Sequence, residues 1–92
     1  MQPEELNKII LNSTRWTFDF SYAGTFVNFY DHNHRVMDTT ISAKELEGIS
    51  MESIIHMGVL NTRDLYTLVE DCKHEDINFK LTQEIELAIK LS

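Results

Sequence analysis

RWTFDFSYAGTFVNFY, residues 15–30, is the stretch on which the fold turns. Its first half alternates: Trp16, Phe18, Phe20 and Tyr22 fall on one side, and Thr17, Asp19 and Ser21 on the other. Successive side chains of a strand point to opposite faces, so a period of two predicts a β-strand with one buried face. Ala23-Gly24 supplies a tight turn. TFVNFY then returns as a second strand with large apolar groups on both faces, the pattern of a strand that is central in its sheet or covered on both sides. Asp31–His34, DHNH, has turn chemistry. RVMDTTI, residues 35–41, is rich in β-branched residues and reads as a third strand. The expectation is a three-stranded antiparallel meander over about residues 15–41.

On the N-terminal side, Pro3 suits the first helical position, with Glu4 and Glu5 beside the positive helix end. Leu6, Ile9 and Ile10 follow at helical spacing, and Asn12-Ser13 stops the pattern, which predicts a helix over 3–13. On the C-terminal side the period changes to that of helices. Ser42 and Glu45 have capping-box spacing, with Gly48 placed to end that helix. Ser50 starts another, with Met51, Ile54, Ile55 and Met57 inward and Gly58 as its end. Asn61 caps a third, over 62–74, whose apolar stripe is Leu65, Leu68, Val69 and Cys72. INFKL, residues 77–81, reads as a short strand or extended connector. Thr82 caps a last helix over 83–91, with Ile85, Ala88 and Ile89 inward. The class is therefore α+β: a meander preceded by one helix and followed by three to four, in a single domain of 92 residues.

Fifteen acidic residues against eight basic ones give a net charge of −7. Direct nucleic-acid binding and adsorption to an anionic membrane both need a basic surface and are disfavoured. A lone cysteine cannot close an internal disulfide, no apolar run has the length of a membrane span, and the first residues are acidic where a signal peptide would be basic. These features predict a cytoplasmic protein.

No common phosphate-binding, metalloprotease, CxxC or nucleophile-elbow motif is present, which argues against the common enzyme classes. His32 and His34 form a His-x-His pair beside Asp31; on a strand they would share a face and could chelate a metal, but no third ligand is indicated. The alternative is a solvated hairpin turn. Cys72 and His74, two apart on one helix, point about 200° away from each other and do not make a nucleophile pair. Glu70, Asp71, Glu75 and Asp76 around the thiol would raise its pKa, so Cys72 is read as a core residue. His56 is read as structural, near a helix end. No catalytic residue, metal or cofactor is assigned.

Seven of the nine aromatic residues lie between Trp16 and Tyr30, without the interleaved lysines that base stacking needs. A small meander with apolar groups on both faces has surface left over, which favours self-association as a homodimer or a partner surface. The acids are uneven: six against four bases in residues 1–46, nine against four in residues 47–92. Glu45, Glu47 and Glu52 mark the first helices after the sheet, and Glu70, Asp71, Glu75 and Asp76 the end of the long one. Carboxylates at a helix C-terminus oppose its dipole, which points to a use of these seven residues as a partner-binding face.

A short, acidic, cysteine-poor α+β chain without catalytic motifs resembles the small host-takeover proteins of bacteriophages, and among them the T4-type DNA-mimic anti-restriction proteins. The resemblance covers size, charge and element content, and no residue is carried over from it. It implies a dimer whose carboxylates are spaced like phosphates, acting in the host cytoplasm on a basic DNA-binding protein such as a restriction enzyme or nucleoid protein. Colicin-type immunity proteins and antitoxins share the profile. They represent the second expectation, an interaction module that binds through an apolar sheet face.

Overall fold

A computed structural model describes residues 2–37, 40–74 and 79–91, and of residues 72 and 79–81 the backbone only. The element order is α1 (Pro3–Asn12), β1 (Arg15–Ser21), β2 (Gly24–Tyr30), β3 (Ile41–Ser42), a 3-10 turn (Ala43–Leu46), α2 (Met51–His74) and α3 (Phe79–Leu91). The sheet has the order β1-β2-β3, antiparallel throughout.

The hairpin forms as the alternation predicts. Its seven pairs run without interruption from Arg15↔Tyr30 to Ser21↔Gly24. Gly24 takes φ +125, a conformation that disfavours any residue with a Cβ, and the Ser21 hydroxyl accepts from the Ala23 amide across the turn. Residues paired across two strands share a face. Trp16, Phe18 and Phe20 therefore stand with Phe29, Val27 and Thr25 on one face, and Arg15, Thr17 and Asp19 with Tyr30, Asn28 and Phe26 on the other.

The third strand is shorter than expected. Tyr30 bridges Val36, and Val27 pairs with Ile41. Between those two pairings β2 advances three residues and the outer segment five. Two extra residues have no counterpart, so the ladder cannot run continuously from Arg35 to Ile41. Residues 38 and 39 lie outside the described set.

The helices differ from the sequence-based expectation in number and in ends. Among the described residues one α-helix precedes the sheet and two α-helices plus a 3-10 turn follow it. Ala43–Leu46 is a single 3-10 turn in which Ser42 makes no side-chain capping bond, so the predicted capping box does not form. Ser50 does cap: its hydroxyl accepts from the Ser53 amide at 3.1 Å. Gly58 does not end a helix. It is buried within α2, where a Cβ would stand 3.3 Å from Leu65 Cδ2, so this glycine serves close packing. α2 runs on to His74 with one non-helical residue, Asn61 (φ −160, ψ 79). Asn61 caps the second segment, as expected. Its Oδ1 accepts from the Asp64 amide while its Nδ2 donates to the Asp64 carboxylate at 2.6 Å. α3 starts at Phe79, which makes Phe79–Leu81 helix instead of strand or extended connector (residues 77 and 78 lie outside the described set) and puts Thr82 inside the helix, buried, instead of at its cap.

Packing joins these elements around Trp16. The core takes Leu6 and Ile10 from α1, Trp16, Val27 and Phe29 from the hairpin, Leu46 from the 3-10 turn, Ile54, Met57, Leu65 and Leu68 from α2, and Ile85 and Ala88 from α3. The Trp16 indole N–H donates to the Met57 carbonyl at 2.7 Å, across the boundary between sheet and helix. Next to it, the Thr62 hydroxyl donates to the Gly58 carbonyl. His56 Nε2 donates to the Ser13 carbonyl at 2.9 Å, tying α2 to the end of α1, which is the structural role read for it.

Burial along β1 is graded. Trp16 is inaccessible, Phe18 half-buried, and Phe20 is 54% exposed. On β2 the same face stays buried as far as Thr25. The helical layer thus covers β2 along its length and leaves the turn end of β1 open, so Phe20 and Tyr22 are not the core residues that alternation predicted.

Replacing Trp16 by Phe keeps most of the buried volume but removes the buried hydrogen bond to the Met57 carbonyl, at a cost of about 0.5–1.5 kcal/mol. Denaturant unfolding is expected to show that loss with an unchanged m-value.

Candidate functional site

The seven acidic residues predicted as one partner-binding face fall into two groups. Glu45 and Glu47 lie in and just after the 3-10 turn and Glu52 in the first turn of α2, all exposed. Glu70 and Asp71 lie near the other end of α2, the first exposed and the second half-buried. Glu52 and Glu70 lie on the two segments of α2, on either side of the break at Asn61. Glu75 and Asp76 lie outside the described residues.

Two further acids join the first group. α1 begins beside the 3-10 turn: a Cβ on Gly48 would be 3.7 Å from Pro3 Cγ. One turn on, Asn7 Oδ1 accepts from the Ser50 amide at 2.8 Å and from the Ser53 hydroxyl at 2.7 Å. These contacts hold the N-terminal ends of α1 and α2 together. Glu4 and Glu5, both exposed in the first turn of α1, are thereby placed at the same end of the molecule as Glu45, Glu47 and Glu52. Carboxylates near helix N-termini are favoured by the positive end of the dipole, so Glu4, Glu5 and Glu52 sit at low electrostatic cost. The sequence signal for this grouping was Asn7, a side chain able to bridge two helix starts, but nothing local shows what it would bridge.

The second group is partly neutralised. A groove of about 380 Å³ lies between α2 and α3, with Tyr66 and Val69 on its α2 side. Glu70 shares it with Lys73, Glu86 and Lys90. Lys73 forms an ion pair with Glu86. That pairing, helped by Glu70, raises the Lys73 pKa above its ordinary 10.5. Among the described residues of the groove, two lysines thus stand beside two glutamates.

His32 and His34 are in a loop, both exposed, and not on a strand. Asp31 organises that loop. Its Oδ1 accepts from the Asn33 amide at 2.8 Å and the Arg35 amide at 3.0 Å, while its carbonyl accepts from the His34 amide. His34 adopts φ +63, a left-handed conformation that histidine tolerates better than most residues. The Arg35 amide first, then the Asn33 amide and the nearby His32 and Arg35 charges, hold the Asp31 carboxyl below its ordinary 3.8. Among the described residues no three histidine, cysteine, aspartate or glutamate side chains converge as metal ligands. These contacts are those of a hydrogen-bonded turn. His74 is exposed at the end of α2, and the side chain of Cys72, expected in the core, lies outside the described set. Among the described residues no helix is long and apolar enough to cross a membrane.

Comparison of the chain with models of protein families, with curated proteins and with solved structures finds no match.

Because its folded pKa is depressed, Asp31 contributes stability above its unfolded value near 3.8, and that contribution is lost as pH falls through the lower folded value. An NMR titration is expected to place the Asp31 carboxyl midpoint below its ordinary 3.8. The Asn33 and Arg35 amide shifts should move with Asp31.

Proposed function

We propose that this protein binds a basic partner through the acidic end where α1, the 3-10 turn and α2 begin, and that it inhibits or sequesters a DNA-binding protein by occupying the surface that DNA would use. The observation that carries the reading is the placement of Glu4, Glu5, Glu45, Glu47 and Glu52, all exposed, on elements joined through Asn7. With a net charge of −7, the chain attracts basic surfaces at long range and repels nucleic acid. A DNA-binding cleft is basic over several phosphate spacings, and an array of carboxylates on three joined elements is a chemical complement to it. Glu70 and Asp71 contribute to the long-range field more than to this contact, because Lys73 and Lys90 stand beside Glu70. The function needs no cofactor and no catalytic group.

A second reading is favoured by the open end of β1. Phe20 and Tyr22 are large, apolar and exposed, which suits an adaptor, antitoxin or immunity protein that binds through its sheet. The two readings differ in salt response, since exposed charges are screened over about 8 Å at physiological ionic strength while apolar contacts are not.

Capture from a host lysate on immobilised wild-type protein and on the E45K/E47K/E52K variant tests the choice. Basic DNA-binding proteins are expected on the wild type only, eluted by added salt and by competing duplex DNA. Equal retention by the variant would refute the acidic reading.

A further inference from the structure

The sheet has two edges, and they are unlike. β3 is two residues long and passes directly into the 3-10 turn. β1 is seven residues long, pairs among the described residues with β2 alone, on one side, and carries no proline, glycine, lysine or bulge. A strand of this kind presents a row of unpaired backbone N–H and C=O groups, and proteins normally blunt such an edge. The only charges on β1 are Arg15 and Asp19, two residues either side of Thr17 and of opposite sign.

We propose that β1 pairs antiparallel with β1 of a second copy about a two-fold axis through Thr17, giving a six-stranded sheet across a homodimer. The charges select this register. Centred on Thr17, Arg15 of each copy opposes Asp19 of the other, and the two Thr17 side chains oppose each other. All three pairs lie on the face that carries Asn28 and Tyr30. Opposite charges and threonine pairs are favourable directly across a sheet. On the other face, Trp16 opposes Phe18. A parallel in-register arrangement would set Arg15 against Arg15 and Asp19 against Asp19, so it is disfavoured. A shift of the axis to Phe18 would pair Arg15 with Ser21 and lose both ion pairs.

The same register uses the residues that the helical layer leaves open. Phe20, 54% exposed, is carried toward the partner copy's Thr14, and Tyr22 toward the end of the partner copy's α1, where Leu11 is 37% exposed. The net charge of −7 does not oppose the contact locally, since β1 itself is neutral. A foreign strand could also add to this edge, but the charge pattern is complementary to itself, and that commits the edge to a second copy. The inference does not depend on which partner the acidic end binds, and a failure of either leaves the other standing.

Sedimentation of the full chain at tens of micromolar is expected to show a dimer. R15D and D19R, each at an exposed position, put like charges opposite each other twice per dimer and should weaken association by about tenfold or more, with far-UV circular dichroism unchanged. The swap R15D/D19R restores the opposition of charges and should restore the dimer, a recovery that loss of folding cannot mimic. In a C72S background, T17C should form a disulfide-linked dimer on mild oxidation and F20C should not. A monomeric wild type, single variants that dimerise as the wild type does, or crosslinking at residue 20 and not at 17 would overturn the proposal.

Discussion

The arrangement of sheet and helices depends on one buried hydrogen bond, from the Trp16 indole to the Met57 carbonyl. An aromatic residue of this size can be buried whole only if its N–H finds an acceptor. The Met57 carbonyl is that acceptor, in the turn before the interruption at Asn61, and the Thr62 hydroxyl donates to the neighbouring Gly58 carbonyl. Asn61 also starts the next segment, bonded reciprocally with Asp64. The kink and the docking of the sheet thus meet at one place in α2. Gly58 completes it by letting Leu65 approach the backbone just before the break.

The sequence made the hairpin legible because period two is a local property, and the seven pairs follow from Trp16 to Tyr30 as alternation requires. Asn61 was legible for the same reason, as a capping side chain three residues before Asp64. What was not legible is set by residues far apart. Gly58 reads as a terminator in sequence, and only the facing Leu65 shows that it is a packing glycine. The third strand reads as seven residues of good β-propensity, but its pairing depends on a residue count against β2 that no propensity contains. Thr82 has the chemistry of a cap, yet it lies buried in α3, where tertiary packing overrides the preference.

The surface divides along similar lines. Of the acidic residues gathered by sequence proximity, from Glu70 to Asp76, Glu70 shares a groove with lysines of its own helix and of α3. The acids gathered by the fold, from Glu4 to Glu52, come from segments more than forty residues apart and are joined through Asn7. The helical layer stops short over β1 and leaves Phe20 and Tyr22 exposed. The two proposals use different residues, the first the acids of α1, the 3-10 turn and α2, the second the edge of β1. A dimer through β1 would double the number of acidic ends that one assembly presents.

Hydrogen exchange at the Trp16 indole tests the central claim most directly. If the indole N–H is bonded to Met57 in the core, its exchange should be as slow as that of the best-protected amides of β1 and β2, and should require global unfolding. Exchange at the rate of an exposed indole, with the sheet amides still protected, would contradict it. The sheet would then be held to α2 by apolar contact alone.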